Sequence, residues 1–284
     1  MEAVYFNLGM INVFVGLLKN HRFLRPYSTK IIQLGYNLYK IEPSFYSLNS
    51  DRRVNPEAIA ISEFQQHTLL TEWTTAKTIN EKKKEQLQRY KCINNTDLTD
   101  FAQITLPAAK ECSVLVAVQP ESIDEFRQFT DQLDKEKILL CSFSYFQEEK
   151  KYKIIFHSGN LLDEKLSYIL KNNLVFDRIP SGYITFPLDD FQHPYFKDSI
   201  LQQLLSFIAK EIYIISTEDI CTYILGDLWD YIDDHKKISV QRAIKQKMNI
   251  LNENKYVYIK EKENKWVLKN NAQKLIDFFK SDLI

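Results

Sequence analysis

Residues 55–90, NPEAIAISEFQQHTLLTEWTTAKTINEKKKEQLQRY, carry the pattern from which the first half of this chain is understood. Ala58 to Phe64 and Thr68 to Thr75 are rich in β-branched and aromatic residues, and only Gln65-Gln66-His67 separates them. That pattern predicts an antiparallel hairpin joined by a short polar turn, with His67 solvated in the turn and Trp73 in the core. Asn80 to Tyr90 predicts a highly charged helix that starts at Asn80 as its N-cap. Gln86 and Tyr90 then stand four apart, on one helical face, and can point together toward the hairpin.

On the N-terminal side, residues 10 to 40 read as helix: Ile11, Phe14, Val15, Leu18, Tyr27, Ile31, Ile32 and Leu34 recur at helical spacing, interrupted near Pro26 and Gly35. Pro43, Asn49, Ser50 and Asp51 mark a turn-rich stretch. On the C-terminal side, Cys112 to Val118 is a continuous apolar run suited to a buried strand. A helix comes next from Ser122 to Leu133, capped by Ser122 with Glu125 three residues on, and then a strand from Ile138 to Phe143. Helix, hairpin, helix, strand, helix, strand is an α/β order, which assigns 1–150 to one domain. Residues 151–195 read as a connector packed on that core, with a strand at Tyr152 to Phe156 and a helix at Leu161 to Leu170. Pro180, Gly182, Pro187 and Pro194 then interrupt any regular structure.

Residues 196–284 regain periodicity. Helices at Phe196–Ile212, Thr217–Ile232 and Ser239–Asn252 surround a short strand, Tyr213–Ser216. Two strands, Tyr256–Lys260 and Lys265–Leu268, and a helix, Ala272–Lys280, complete a winged-helix-like pattern.

A chain of 284 residues with 45% apolar content can fill two cores. Zero net charge argues against coating nucleic acid by bulk attraction. From Lys236 onward, however, twelve basic residues face five acidic ones, a sign split that suits a polyanion-facing module. Cys92, Cys112, Cys141 and Cys221 have neither zinc-site nor disulfide-framework spacing. Met10 to Leu18 is apolar, but Glu2 stands where a signal peptide is basic, and His21, Arg22 and Arg25 close the run without a small-residue cleavage site. The expectation is a soluble, cytoplasmic protein that does not associate with membrane.

The order Asn55-Pro56-Glu57, then Glu72-Trp73-Thr74, then Gln86-Leu87-Gln88-Arg89-Tyr90 resembles the PD-(D/E)xK nuclease superfamily: an acid after proline opening one strand, acid-x-lysine on the next, and Q-x-x-x-Y on the following helix. The resemblance spans roughly residues 20 to 145 and implies a restriction-endonuclease-like mixed-sheet core. It also implies Glu57 and Glu72 as ligands of Mg2+ or Mn2+, and Glu57, Glu72, Lys77, Gln86 and Tyr90 as the catalytic set. Two carboxylates on neighbouring strands can share a hard cation, which polarises a phosphate and activates water. Thr74 stands where the family has its lysine, so Lys77, or one of Lys82 to Lys84 at the start of the next helix, has to supply the positive charge.

The function expected is metal-dependent DNA cleavage in defence, restriction or mobile-element processing. Lys262, Lys265 and Lys269 on the wing would meet phosphates, and Gln241, Arg242, Lys245 and Gln246 on the preceding helix would reach base edges. A nuclease-fold adaptor that binds DNA or a protein partner without cleavage is the alternative, and a homodimer is also compatible. A third reading, a purely protein-binding winged helix, draws on Trp229, Tyr231 and Trp266 near the surface. Asp189, Asp190, His193 and Asp198 form a minor metal-site candidate.

Overall fold

In a computed structural model, which describes residues 3–47, 52–93, 97, 111–133, 136–180, 182–260 and 265–280, the chain divides into two compact units, Met1–Ser181 and Gly182–Ile284.

The first unit is α/β. Helices α1 (Ala3–Leu18) and α2 (Arg25–Gln33) precede β1 (Tyr36–Ile41), the small hairpin β2 (Phe45–Ser47) and β3 (Arg52–Val54), and then β4 (Ala58–Ser62) and β5 (His67–Thr74). Helix α3 (Glu81–Cys92), β6 (Glu111–Val118), α4 (Ile123–Leu133), β7 (Ile138–Phe146), β8 (Lys151–Gly159), α5 (Glu164–Lys171) and β9 (Leu174–Phe176) come after them. Seven strands form one mixed sheet in the order β1-β4-β5-β6-β7-β8-β9. The β4–β5 hairpin has the expected antiparallel register, from Ala58 opposite Thr71 to Ser62 opposite His67. β5, β6 and β7 run parallel, as their helical crossovers require.

Side chains alternate across the sheet. Leu70, Val114, Val116 and Leu140 face one way, and Leu87 and Tyr90 of α3 pack there with Ile123 and Phe126 of α4. On the other face Trp73 meets Phe14 of α1, ring centroids 6.3 Å apart, as a core residue.

Two stretches depart from the sequence reading. The helix expected to reach residue 40 ends at Gln33; Gly35, at φ 82°, turns the chain into β1, which pairs with β4. Tyr36 and Leu38 fit a strand's alternation as well as a helix's spacing, and the open edge of β4 decides between them. Residues 151–176 are not a connector, because β8 and β9 complete the main sheet. Gly159 is required there: a Cβ would lie 1.8 Å from the Ile138 carbonyl oxygen. The outer edge at β9 is partly closed by Tyr27, whose hydroxyl accepts from the Val175 N–H at 2.9 Å.

The second unit comprises α6 (Pro194–Ala209), β10 (Ile214–Ile215), α7 (Thr217–Leu225), a 3-10 turn over Gly226–Tyr231, α8 (Asp234–Glu253), β11 (Val257–Lys260), β12 (Lys265–Leu268) and α9 (Ala272–Lys280). Its sheet order is β10-β12-β11, antiparallel throughout. Trp229 and Trp266 are buried in its core, against the expectation that they mark a surface, because their faces of the 3-10 turn and of β12 turn inward. No helix among the described residues is long and apolar enough to cross a membrane.

Candidate functional site

The site is built where β5 meets the first turns of α3. Glu72 is two residues beyond Leu70, so alternation turns it to the α3 face, where it is fully buried. The loop into α3 is held by the start of α4 and the residue before it: Ser122 Oγ donates to the Ala76 carbonyl at 2.9 Å, and Glu125 Oε1 accepts from the Ile79 N–H at 2.7 Å. These two side chains therefore brace the loop, whereas the sequence suggested that they cap their own helix. Asn80 does cap α3, accepting from the Lys83 N–H at 2.9 Å. Lys83, Gln86 and Tyr90, three and four residues apart, then line the helix face toward β5.

All three converge on one carboxylate. Lys83 Nζ donates to Glu72 Oε1. Gln86 Nε2, at 2.9 Å, and the Tyr90 hydroxyl, at 2.6 Å, donate to Oε2. The Tyr90 oxygen accepts from Gln86 Nε2 at 2.7 Å and lies 2.8 Å from the Asn55 carbonyl oxygen. With Glu72 ionised, the single phenolic proton goes to the carboxylate, the stronger acceptor. Glu57 is half-buried where β4 begins; its N–H donates to the Thr71 carbonyl at 2.9 Å, beside Glu72.

The electrostatics arise from this crowding. Burial raises the Glu72 carboxyl above its ordinary range, opposed by the Lys83 ammonium and by the Lys83 and Tyr90 hydrogen bonds. Tyr90 is pushed well above 10, first by burial and then by the charge of Glu72, with Glu57 adding to it. Both carboxylates singled out in the sequence thus act on one hydroxyl. Thr74 is buried and its Oγ1 accepts from the Ala76 N–H at 3.2 Å, while Lys77 is exposed in the following loop. Lys83, one of the three consecutive lysines, supplies the ammonium.

Among the described residues no group of three or more His, Cys, Asp and Glu side chains is assembled for a metal ion, and that includes the Asp189, Asp190, His193 and Asp198 candidate. Asp190 instead accepts from the Gln192 N–H at 3.0 Å, and His193 caps α6.

A second polar constellation lies on the opposite face of β5. His67 is not solvated: it is the first residue of β5 and fully buried. Its Nδ1 is 2.6 Å from the Tyr36 hydroxyl and its Nε2 2.9 Å from Ser113 Oγ. Tyr36 donates to Asp163 Oδ2 at 2.7 Å, which fixes the other roles. Its one proton is used, so Nδ1–H must donate to it, and Nε2 accepts from Ser113. The Ser113 oxygen accepts from the Leu162 N–H at 2.9 Å, and Asp163 Oδ1 accepts from the Lys165 and Leu166 N–H groups as the α5 cap. Burial lowers His67 to about 4, with Asp163 opposing. Tyr36, His67, Ser113 and Asp163 are scattered through the sequence, and no motif announces them.

In the second unit, Arg242, Lys245 and Gln246 are exposed on α8 and Lys265 on β12, with Lys269 half-buried just after it; Lys262 lies outside the described residues. Gln241 is engaged differently: its Nε2 donates to Glu218 Oε2, while Glu218 Oε1 accepts from Trp229 Nε1 at 2.6 Å. Asp227, Asp230 and Asp234 are exposed before and at the start of α8, so acidic charge borders the basic residues of that helix.

An α/β unit with a mixed sheet and a carboxylate-lysine-glutamine-tyrosine cluster between a central strand and a helix is thus the class of protein that fold and site define. The chain belongs to the MJECL32 domain family, whose profile matches residues 8–183, nearly the whole of the first unit. No curated protein and no solved structure matches it.

Proposed function

We propose that the chain is a metal-dependent nuclease of the PD-(D/E)xK type, with a restriction-endonuclease-like core and a winged-helix-like second unit that docks DNA in defence, restriction or mobile-element processing. The observation that carries this reading is the convergence of Lys83, Gln86 and Tyr90 on Glu72, with Glu57 acting on the same Tyr90 hydroxyl. Further support comes from the order β1-β4-β5 antiparallel, then α3, then β6 parallel to β5. Lys83 gives the positive charge that Thr74 cannot, from the helix rather than from the strand.

The donor set fits a hard divalent cation. Glu57, Glu72 and the Asn55 carbonyl offer oxygen ligands only, and Lys83, partly exposed, can swing off Oε1. Such an ion, held by Glu57 and Glu72, would polarise the scissile phosphate and lower the pKa of a bound water. Lys83 would offset charge building on the phosphate, and Tyr90 and Gln86 would fix the Glu72 carboxylate in one orientation.

The test is cleavage of plasmid and single-stranded DNA with magnesium or manganese and a chelator control. Glu72→Ala should abolish cleavage and leave DNA affinity unchanged or slightly raised; cleavage that persists in the variant overturns the assignment. On the second unit, Lys265→Ala on the wing should weaken duplex binding whatever its sequence and lower the slope of log affinity against log salt by about 0.9 for the phosphate no longer neutralised, whereas Arg242→Ala should lose affinity at a preferred sequence only.

One observation favours a second reading, the non-cleaving adaptor. Both Glu72 oxygens are already satisfied by three donors, as in a structural knot. Duplex binding with no cleavage in either metal would select it.

A further inference from the structure

We propose that the second unit also holds a phosphoryl group, in a pocket of about 250 Å³ at the open end of the β11–β12 hairpin. Lys255 stands in the turn between α8 and β11, Lys269 just after β12, and Lys274 belongs to the first turn of α9; all three line the pocket over an apolar floor that includes Leu268 and Leu275. Among the described residues no Asp or Glu lines it. Of the acids closest in sequence, Glu253 does not line it and Asp277 accepts from Gln273 Nε2 at 2.8 Å. Among the described residues neither Lys255 nor Lys274 forms an ion pair.

Three ammonium-bearing side chains around one concavity with an apolar floor raise the local positive potential, because low-dielectric walls focus the field. Asn271 also lines the pocket; its Oδ1 accepts from the Lys274 N–H at 3.2 Å, which caps the first turn of α9 and leaves the amide nitrogen as a further donor. At about 250 Å³ the pocket lies just below the range of about 300–1,000 Å³ for organic-ligand pockets, which leaves room for a phosphoryl group and part of what carries it. A phosphoryl group matches in charge and in oxygen acceptors.

The pocket is separate from the exposed α8 residues Arg242, Lys245 and Gln246 and from the hydrolytic reading of the first unit. A chain without nuclease activity could hold phosphate here, so failure of the cleavage assay leaves this proposal untouched. The phosphoryl group could be free phosphate or the end of a nucleic acid, and the arms of the test separate the two.

The full chain is titrated with sodium orthophosphate at constant ionic strength, with sodium chloride as the matched control, by calorimetry or amide NMR. A duplex with 5′-phosphates and its 5′-hydroxyl twin form the second arm. We expect saturable orthophosphate binding that is at least about tenfold weaker in Lys255→Gln/Lys274→Gln, with Lys274→Gln alone intermediate and the circular dichroism unchanged. A Lys274-dependent preference for the phosphorylated duplex assigns the group to nucleic acid; equal binding of the twins assigns it to free phosphate. Responses that follow ionic strength alone, or wild-type orthophosphate affinity in the double variant, overturn the proposal. Should the double variant fold poorly, exposed Lys274→Gln gives the same decision.

Discussion

His67 and Glu72 sit five residues apart on β5, fully buried on opposite faces of the same sheet, and their surroundings differ in kind. His67 is neutral and sealed: Tyr36, Ser113 and Asp163 are themselves buried, and each hydrogen bond in the chain has one assignable proton. Glu72 sits in an ionic cluster that opens outward, through a Lys83 side chain that is 18% exposed and a half-buried Glu57. Burial of a polar side chain therefore does not identify a functional site by itself. A group whose partners are all sealed stabilises the fold, whereas one whose partners lead to solvent can exchange a partner for a ligand.

Breaking the sealed side should cost the most. His67→Ala removes a buried ring and strands Tyr36 and Ser113, and should cost about 4 kcal/mol in chemical denaturation at neutral pH. A loss below about 1 kcal/mol would mean that water or repacking replaces the imidazole, and the contrast would fail.

Acid should act on the same residue with a definite sign. The folded His67 titrates at about 4 and an unfolded histidine near 6.5. Its contribution is complete above about 6.5 and is lost progressively as pH falls toward 4, because the unfolded chain binds the proton first. The loss is roughly 3 kcal/mol. His157 and His21 are lowered too, by burial first, and add in the same direction, while Glu72, raised by burial, works oppositely. Comparison with His67→Gln between pH 7 and 4 isolates the His67 share; identical slopes would remove it.

The open side should respond least. Lys83→Met leaves Glu72 Oε1 without its ammonium, but Gln86 and Tyr90 still hold Oε2, and the carboxyl can take up a proton. About 2 kcal/mol is expected at pH 7. That penalty should shrink as pH falls and Glu72 protonates, since only the charged form needs the lysine. A penalty independent of pH would mean that Lys83 contributes packing rather than charge.

Much of the candidate site was legible because its signals are local. Asn80 before a charged run gives the start of α3, and the spacing of Gln86 and Tyr90 puts them on one face. Strand composition on both sides of Gln65-Gln66-His67 gives the hairpin. Choosing Lys83 over Lys77 was not legible, because it depends on the phase of α3 relative to β5, and Ser122, just before α4, and Glu125 in it help to set that phase.

Local sequence was enough for the elements whose signals lie within a few residues: the β4–β5 hairpin, the Asn80 cap, the last two strands Val257–Lys260 and Lys265–Leu268, and the helix that closes the described chain. It took tertiary structure to make Tyr36–Ile41 a strand, to add Lys151–Gly159 to the main sheet, to bury His67, Trp229 and Trp266, and to bring one lysine of three to Glu72. The physical reason is the range of the forces involved. Periodicity and capping are fixed by neighbours along the chain, but pairing with an open strand edge and burial under a distant helix are free-energy gains from partners that arrive only when the fold closes.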